Sequence, residues 1–156
     1  MRYLLNIFIL ILFWSCQYPN SNEYQAKSES TNAILQDTHP GKILMETHCN
    51  ICHSPTASEK ERLAPPMIAI KRHYIGASTT KTDFVRSLND WIQDPKEENA
   101  KMFGAVNRFG VMVKMPFSEE TINQIGDYMY DYEIEQPSWF EDHFNNQRGK
   151  RKNNKF

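Results

Sequence analysis

Residues 49–53 read Cys49-Asn50-Ile51-Cys52-His53, and the rest of the chain is best interpreted from this stretch. Its two cysteines are three positions apart, so they fit on one turn of a helix, and a histidine follows the second cysteine directly. The third cysteine, Cys16, lies far away near the N-terminus. At most one disulfide could form from three cysteines, which excludes a disulfide-stapled scaffold.

Three kinds of site use cysteines at this spacing. A redox dithiol of the thioredoxin type would follow a strand in a βαβ unit, but residues 41–48 have the pattern of a helix. A zinc site would need a second ligand pair, and the other histidines form none at ligand spacing. The C-x-x-C-H order is typical of a c-type haem site, where both thiols lie over the two vinyl groups and the histidine lies beneath the iron. We therefore predict one covalent haem c on Cys49 and Cys52, with His53 as an iron ligand.

The residues around this motif resemble the class I c-type cytochromes over roughly residues 39–133. Gly41 and Met45 precede Cys49 by eight and four residues, like the small and the apolar residue of that family's N-terminal helix. Ala64-Pro65-Pro66-Met67 resembles its Gly-Pro-x-Leu loop, whose proline carbonyl accepts a hydrogen bond from the axial imidazole. The resemblance implies an all-α, small cytochrome c fold, with N- and C-terminal helices crossing over a covalently bound haem. It also implies that Pro65 is the hydrogen-bond partner of His53.

The resemblance further implies a methionine as the second axial ligand, in a loop before the C-terminal helix. The family usually shows Met-Pro, which favours Met115. Spacing favours Met112, which precedes Ser118 by six residues and Tyr128 by sixteen, as the ligand does in short members of the family. We expect Met112 to be the ligand, with Met115 as the alternative and His73 as a further rival.

Two later segments have the apolar period of amphipathic helices. Residues 84–92 form the first, which ends before Pro95 and is expected to wall the haem, with Trp91 as a candidate donor to a propionate. The second begins with Ser118 as N-cap and is expected to pack an apolar stripe across residues 41–49. That stripe consists of Ile122, Ile125, Met129 and Tyr132. No strand pattern is evident.

The N-terminus has the pattern of a lipoprotein signal peptide over residues 1–15. Its apolar run, Ile7 to Trp14, is far shorter than the ~20 residues of a spanning helix. Ser15 before Cys16 resembles a lipobox, which implies that Cys16 is acylated and becomes the new N-terminus. Residues 16–38 are polar and suit a flexible tether to a membrane. We therefore expect an exported protein on the periplasmic side.

The cytochrome domain is expected over residues 39–135, followed by an extension over residues 136–156. Ser138 and Glu141 have capping-box spacing, which predicts a short helix packed back on the domain before a basic tail. His48 is expected to be solvated, and the thioether edge near residues 48–51 to be exposed. Arg108 is the nearest basic candidate for a propionate.

The charge is unevenly distributed along the chain. Residues 3–147 hold twelve basic and nineteen acidic side chains, a balance of −7, while the tail is basic. An acidic body repels nucleic acid and favours a redox partner with a basic docking face.

With both axial positions filled, the iron offers no site to a substrate, so we expect a one-electron carrier rather than an enzyme. The alternatives are a haem enzyme or gas sensor with an open or labile sixth position, and a dedicated redox subunit of a membrane complex. Since the haem supplies part of the core, we also expect that the unhaemylated chain will not fold stably.

Overall fold

The computed structural model describes the backbone of residues 35–153 and the side chains as far as Gln147. The expected signal peptide, the expected lipid site Cys16 and most of the expected tether lie outside the described residues. Every regular element in the described range is helical, which confirms the predicted all-α class. In chain order the α-helices are α1 (Pro40–Leu44), α2 (Met67–Tyr74), α3 (Lys81–Gln93), α4 (Phe103–Phe109), α5 (Glu119–Asp131) and α6 (Phe140–Asn153).

Helix α1 starts and ends with local hydrogen bonds that its sequence supplies. His39 is its N-cap, with Nδ1 accepting from the N–H of Gly41 at 3.0 Å. Helix α1 then continues as a π-helical turn over Met45–Cys49, closed by the Asn50 N–H donating to the Met45 carbonyl at 3.1 Å. The predicted helix before the cysteine motif is confirmed, and its last turn contains Cys49, the first cysteine of that motif.

Helix α5 crosses α1 at very close range. The hydroxyl of Ser118 accepts from the N–H of Thr121 at 3.1 Å, so this residue is the N-cap that was predicted. A Cβ atom added to Gly41 would lie 1.9 Å from the Gln124 carbonyl oxygen and 2.8 Å from the Tyr128 Cβ. Only glycine permits this approach, so the two helices pack together as expected, although the residues nearest Gly41 are Gln124 and Tyr128 and not those of the predicted stripe.

Helix α3 packs on α5 as well. It extends over Lys81–Gln93 and so confirms the helix predicted before Pro95, and Thr80 caps it by accepting from the Asp83 N–H at 3.1 Å. Its apolar face buries Phe84 and Leu88, and Phe84 is fully inaccessible to solvent. The two packed pairs, α1 with α5 and α3 with α5, form the main helical framework.

Helix α6 returns onto the domain, as expected. It begins at Phe140, two residues after Ser138, and runs to Asn153, so it is longer than the short helix that was expected. Phe140 is 2% exposed and belongs to the core. The described residues from Gln36 onward therefore form one compact unit that includes this extension.

None of the helices in the described range is both long and apolar enough to span a bilayer.

Candidate functional site

A cavity of about 320 Å³ lies beside the helical framework, with both motif cysteines and His53 in its wall. Met112 and Met115, which belong to the irregular segment after α4, line the same cavity. The structure therefore brings the five candidate haem-binding side chains to one space. Apolar side chains from α3 and α5 complete it: Leu88, Trp91, Ile92, Ile122, Ile125 and Met129.

The motif itself forms one helical turn. The N–H groups of Cys52 and His53 both donate to the Cys49 carbonyl, at 3.2 and 2.9 Å. Cys49 is half-buried, whereas Cys52 is exposed and Ile51 is 73% exposed. Both cysteines are free thiols. The edge of the cavity next to the motif therefore faces solvent, as the sequence led us to expect.

The buried thiol differs from the attacking thiol of a redox dithiol. Burial raises the pKa of Cys49 to about 11. A reactive dithiol instead has a lowered pKa, usually at a helix N-terminus, while Cys49 ends the turn that follows α1. The dithiol alternative is disfavoured by this electrostatic environment.

His53 is held in one orientation by Pro65. The two are joined by a 2.6 Å contact between Nδ1 and the Pro65 carbonyl oxygen. Because a carbonyl only accepts, Nδ1 carries the proton and Nε2 keeps its lone pair. Burial lowers the pKa of His53, and the bond to Pro65 partly offsets this effect. The contact predicted from the proline loop is present, and it leaves a neutral imidazole suited to metal ligation.

The methionine segment begins where Gly110 ends α4 with a φ of +80°, a backbone conformation that favours glycine. Residues 110–118 have no helix or strand. Met112 is half-buried, and Met115 is 38% exposed. Both methionines line the cavity, so the structure separates them only by burial. Greater burial is in keeping with Met112 as the ligand.

His73 and Arg108 lie away from the cavity wall, whereas His48 is part of it. His73 is absent from the cavity wall; its Nδ1 contacts the Ala69 carbonyl at 2.8 Å, so the structure does not support it as a ligand. His48 is exposed as expected, although its ring also contacts Phe117 at 5.3 Å between centroids. Arg108 does not line the cavity either and donates to the Glu59 carbonyl at 2.9 Å.

Sequence reasoning missed two polar residues of the wall. Lys101 lies with Nζ 4.9 Å from the ring centre of Tyr74 and donates to the Ser87 hydroxyl at 2.7 Å. Burial raises the pKa of Tyr74 to about 12. Neither residue belongs to a motif, and Lys101 lies between helices, so no periodic signal could have indicated it.

The cavity fits a large apolar group that completes the core. Its volume of about 320 Å³ and its largely apolar lining leave room for a bulky apolar group. The donors around it include the imidazoles of His53 and His48, several thioether sulfurs and the two thiols. This donor set suits a haem iron and its two thioether links. No cluster of three His, Cys, Asp or Glu side chains able to hold a bare metal ion occurs within the described range.

No protein-family model matches the chain, and no curated protein or solved structure matches it.

Proposed function

We propose that this protein is a one-electron carrier of the class I cytochrome c type, with one covalent haem c and His/Met axial ligation. The observation that carries the proposal is the convergence of Cys49, Cys52, His53 and a methionine segment on one apolar cavity. The close crossing of α1 and α5 at Gly41 supports the small cytochrome c fold.

The two cysteines would hold the haem through thioether bonds. Cys49 is half-buried and Cys52 is exposed, so one attachment lies inside the domain and the other at its surface. A covalent link keeps the cofactor from dissociating in an exported protein. The solvent-facing rim near Ile51 is then the shortest route for an electron between the cavity and a partner.

His53 and a methionine would be the axial ligands. The haem supplies one-electron chemistry because its iron changes oxidation state. The Pro65 carbonyl fixes the His53 proton on Nδ1, so Nε2 would be the nitrogen that binds the iron, and the hydrogen bond would make the imidazole a better donor. A methionine thioether is a soft, weak donor that raises the reduction potential relative to a second histidine.

The walls of the cavity would tune the site further. Trp91 and Ile92 from α3 line the cavity together with Ile125 and Met129 from α5. Such apolar surroundings exclude water and solvate the more highly charged ferric state poorly, which also raises the potential. With two protein ligands, the metal has no position left for a substrate, and this favours electron transfer over catalysis.

Location and partners form part of the same proposal. Residues 1–15 would direct export, and acylated Cys16 would anchor the domain to a membrane through the tether. The acidic balance of residues 3–147 suits a redox partner with a basic docking face and disfavours nucleic acid. A Cys16→Ala variant should shift the protein from the membrane to the soluble fraction; a wild-type protein that is already soluble would contradict the anchor.

The decisive measurement is an optical spectrum of the purified haem-loaded protein. We expect the weak far-red charge-transfer band of a methionine–iron bond in the ferric state, and no ready binding of carbon monoxide in the ferrous state. The matched control is a Met112→Ala/Met115→Ala double variant, which should lose the band and bind carbon monoxide. A wild-type protein that lacks the band at neutral pH would favour a haem enzyme or gas sensor with an open sixth position.

A further inference from the structure

The C-terminal extension contacts the loop between His53 and Pro65. The indole Nε1 of Trp139 donates to the Ala57 carbonyl at 2.9 Å. His143 Nδ1 lies 2.7 Å from a Glu59 carboxylate oxygen. These two contacts attach the start of α6 to residues 57–59, more than 80 positions earlier in the chain.

Arg62 lies at the centre of this contact region. Its guanidinium carbon is 4.6 Å from the ring centre of Trp139 and 5.5 Å from that of Phe109. The same side chain donates to the Glu59 carbonyl, while its Nε is buried without a partner. Burial, together with the nearby Arg108, lowers the pKa of Arg62. A partly desolvated cation over two aromatic rings gains more from cation–π attraction than an exposed one.

Phe109 connects this stack to the methionine segment. It is the last residue of α4, it lines the cavity, and Gly110 follows it directly. The neighbouring Arg108 donates to the same Glu59 carbonyl that Arg62 uses, at 2.9 Å. The last turn of α4 is therefore joined to the residue 57–62 loop by two arginine side chains.

We propose that Arg62, held on Trp139 of the C-terminal extension, is a positioning residue that keeps Phe109 and the following methionine segment against the cavity. This inference rests on the proposed haem ligation. Arg62 acts through Phe109, whose ring it contacts. The extension would then have a second role beyond packing: it would determine how firmly the methionine ligand is held.

The test uses imidazole, which competes with methionine for the ferric iron, on the full-length haem-loaded protein at a fixed pH. An Arg62→Leu variant removes both stacking contacts and the bond to Glu59. We expect its imidazole affinity to rise by about tenfold, because a desolvated cation–π contact has about that effect on an equilibrium. Amide hydrogen exchange over residues 110–117 should become faster in the same variant.

Arg72→Gln is the matched control. Arg72 bonds Glu141 of α6 at 2.5 Å and lies near the Phe140 and Phe144 rings, but it makes none of the contacts to residues 57–62. This variant weakens the docking of α6 and leaves the Arg62 stack in place. Its imidazole affinity and hydrogen exchange should match the wild type.

Two variants of Trp139 resolve the stack further. Trp139→Phe keeps an aromatic face beneath Arg62 and removes the bond to Ala57, whereas Trp139→Leu removes both. We expect Trp139→Leu to resemble Arg62→Leu, and Trp139→Phe to restore most of the wild-type affinity. If Arg62→Leu fails to fold, these two Trp139 variants still test whether the stack on Trp139 holds the methionine segment.

The inference is overturned if Arg62→Leu and Trp139→Leu keep the wild-type imidazole affinity and hydrogen exchange. It is equally overturned if Arg72→Gln has the same effect as Arg62→Leu, since general docking of α6 would then be responsible. A wild-type protein without the far-red band contradicts the proposed ligation instead, and the exchange of residues 110–117 still tests the stack.

Discussion

The two sides of the cavity are built in different ways. On the framework side, α3 and α5 bury large side chains completely, and both Phe84 and Met129 are 0% exposed. On the ligand side, residues 54–66 and 110–118 have little regular structure, and Leu63 and Val113 are more than 70% exposed. The helical side thus has a buried core of its own besides its part of the cavity wall, whereas the loop side is more exposed. We therefore expect the loops to depend more than the helices on what fills the cavity.

The largest effect should come from removing the covalent attachment. In a Cys49→Ala/Cys52→Ala variant we expect complete loss of haem staining on a denaturing gel and loss of the cooperative unfolding transition. The reason is that the haem would supply the missing half of the core on the loop side.

Cys16→Ala is the control for that variant, because it removes a cysteine and leaves the cavity untouched. It should keep haem staining and folding. A double variant that unfolds cooperatively, at wild-type denaturant concentration, would show that the loop side needs no cofactor and would remove the contrast between the two sides.

The next effect tests the framework side, at the crossing of α1 and α5. Gly41→Ala would place a methyl group 1.9 Å from the Gln124 carbonyl oxygen, which is backbone and cannot rotate away. We expect it to lower the free energy of unfolding by about 3 kcal/mol or more, because the helices must separate. The measurement is denaturant unfolding of the haem-loaded protein.

Gly104→Ala in α4 is the matched control, because a Cβ there meets nothing within 4 Å. It should be neutral or stabilise the protein by up to ~1 kcal/mol, since alanine is the better helix former. Equal losses in both variants would mean that the crossing is no tighter than an ordinary helix surface.

The framework could be predicted from the sequence because its signals are local and periodic. Short-range rules predict the N-cap of α5 at Ser118 and the end of α3 before Pro95. The 3.6-residue period predicts the apolar stripe of α5. Gly41 required the family resemblance, since nothing local says why that position must be small. The length of α6 was underestimated, because its polar, basic sequence carries little apolar periodicity.

Only those residues of the site that belong to sequence motifs could be predicted. The cysteines, His53 and Pro65 stand at fixed spacings, and the structure brings them together as expected. Arg62 belongs to no motif, and its neighbours Trp139 and Phe109 are distant in sequence. Such contacts between loops depend on the tertiary path of the chain, which periodicity does not reveal.

A smaller effect distinguishes the two methionines on the loop side. Met112→Ala should abolish the far-red band, while Met115→Ala should keep it, because Met112 is the better buried of the two and has the expected spacing to α5. The ferric spectrum of each single variant is the measurement. Loss of the band in Met115→Ala alone would assign the ligand to the Met-Pro pair and show that the loop packs its more exposed methionine onto the metal.

The smallest effect concerns pH and the phenol in the cavity wall. Burial raises the pKa of Tyr74 to about 12, from an unfolded value near 10. The folded state therefore favours the neutral phenol, and this contribution is complete below about pH 10 and is lost as the pH rises toward 12. Between about pH 9 and about pH 11, the wild type should lose unfolding free energy relative to Tyr74→Phe, in which nothing titrates at this position. Denaturant unfolding of both proteins at the two pH values is the measurement, and Lys101 is common to both. Parallel pH dependences would mean that water reaches the Tyr74 hydroxyl, so that this part of the cavity wall belongs with the open loop side rather than with the framework.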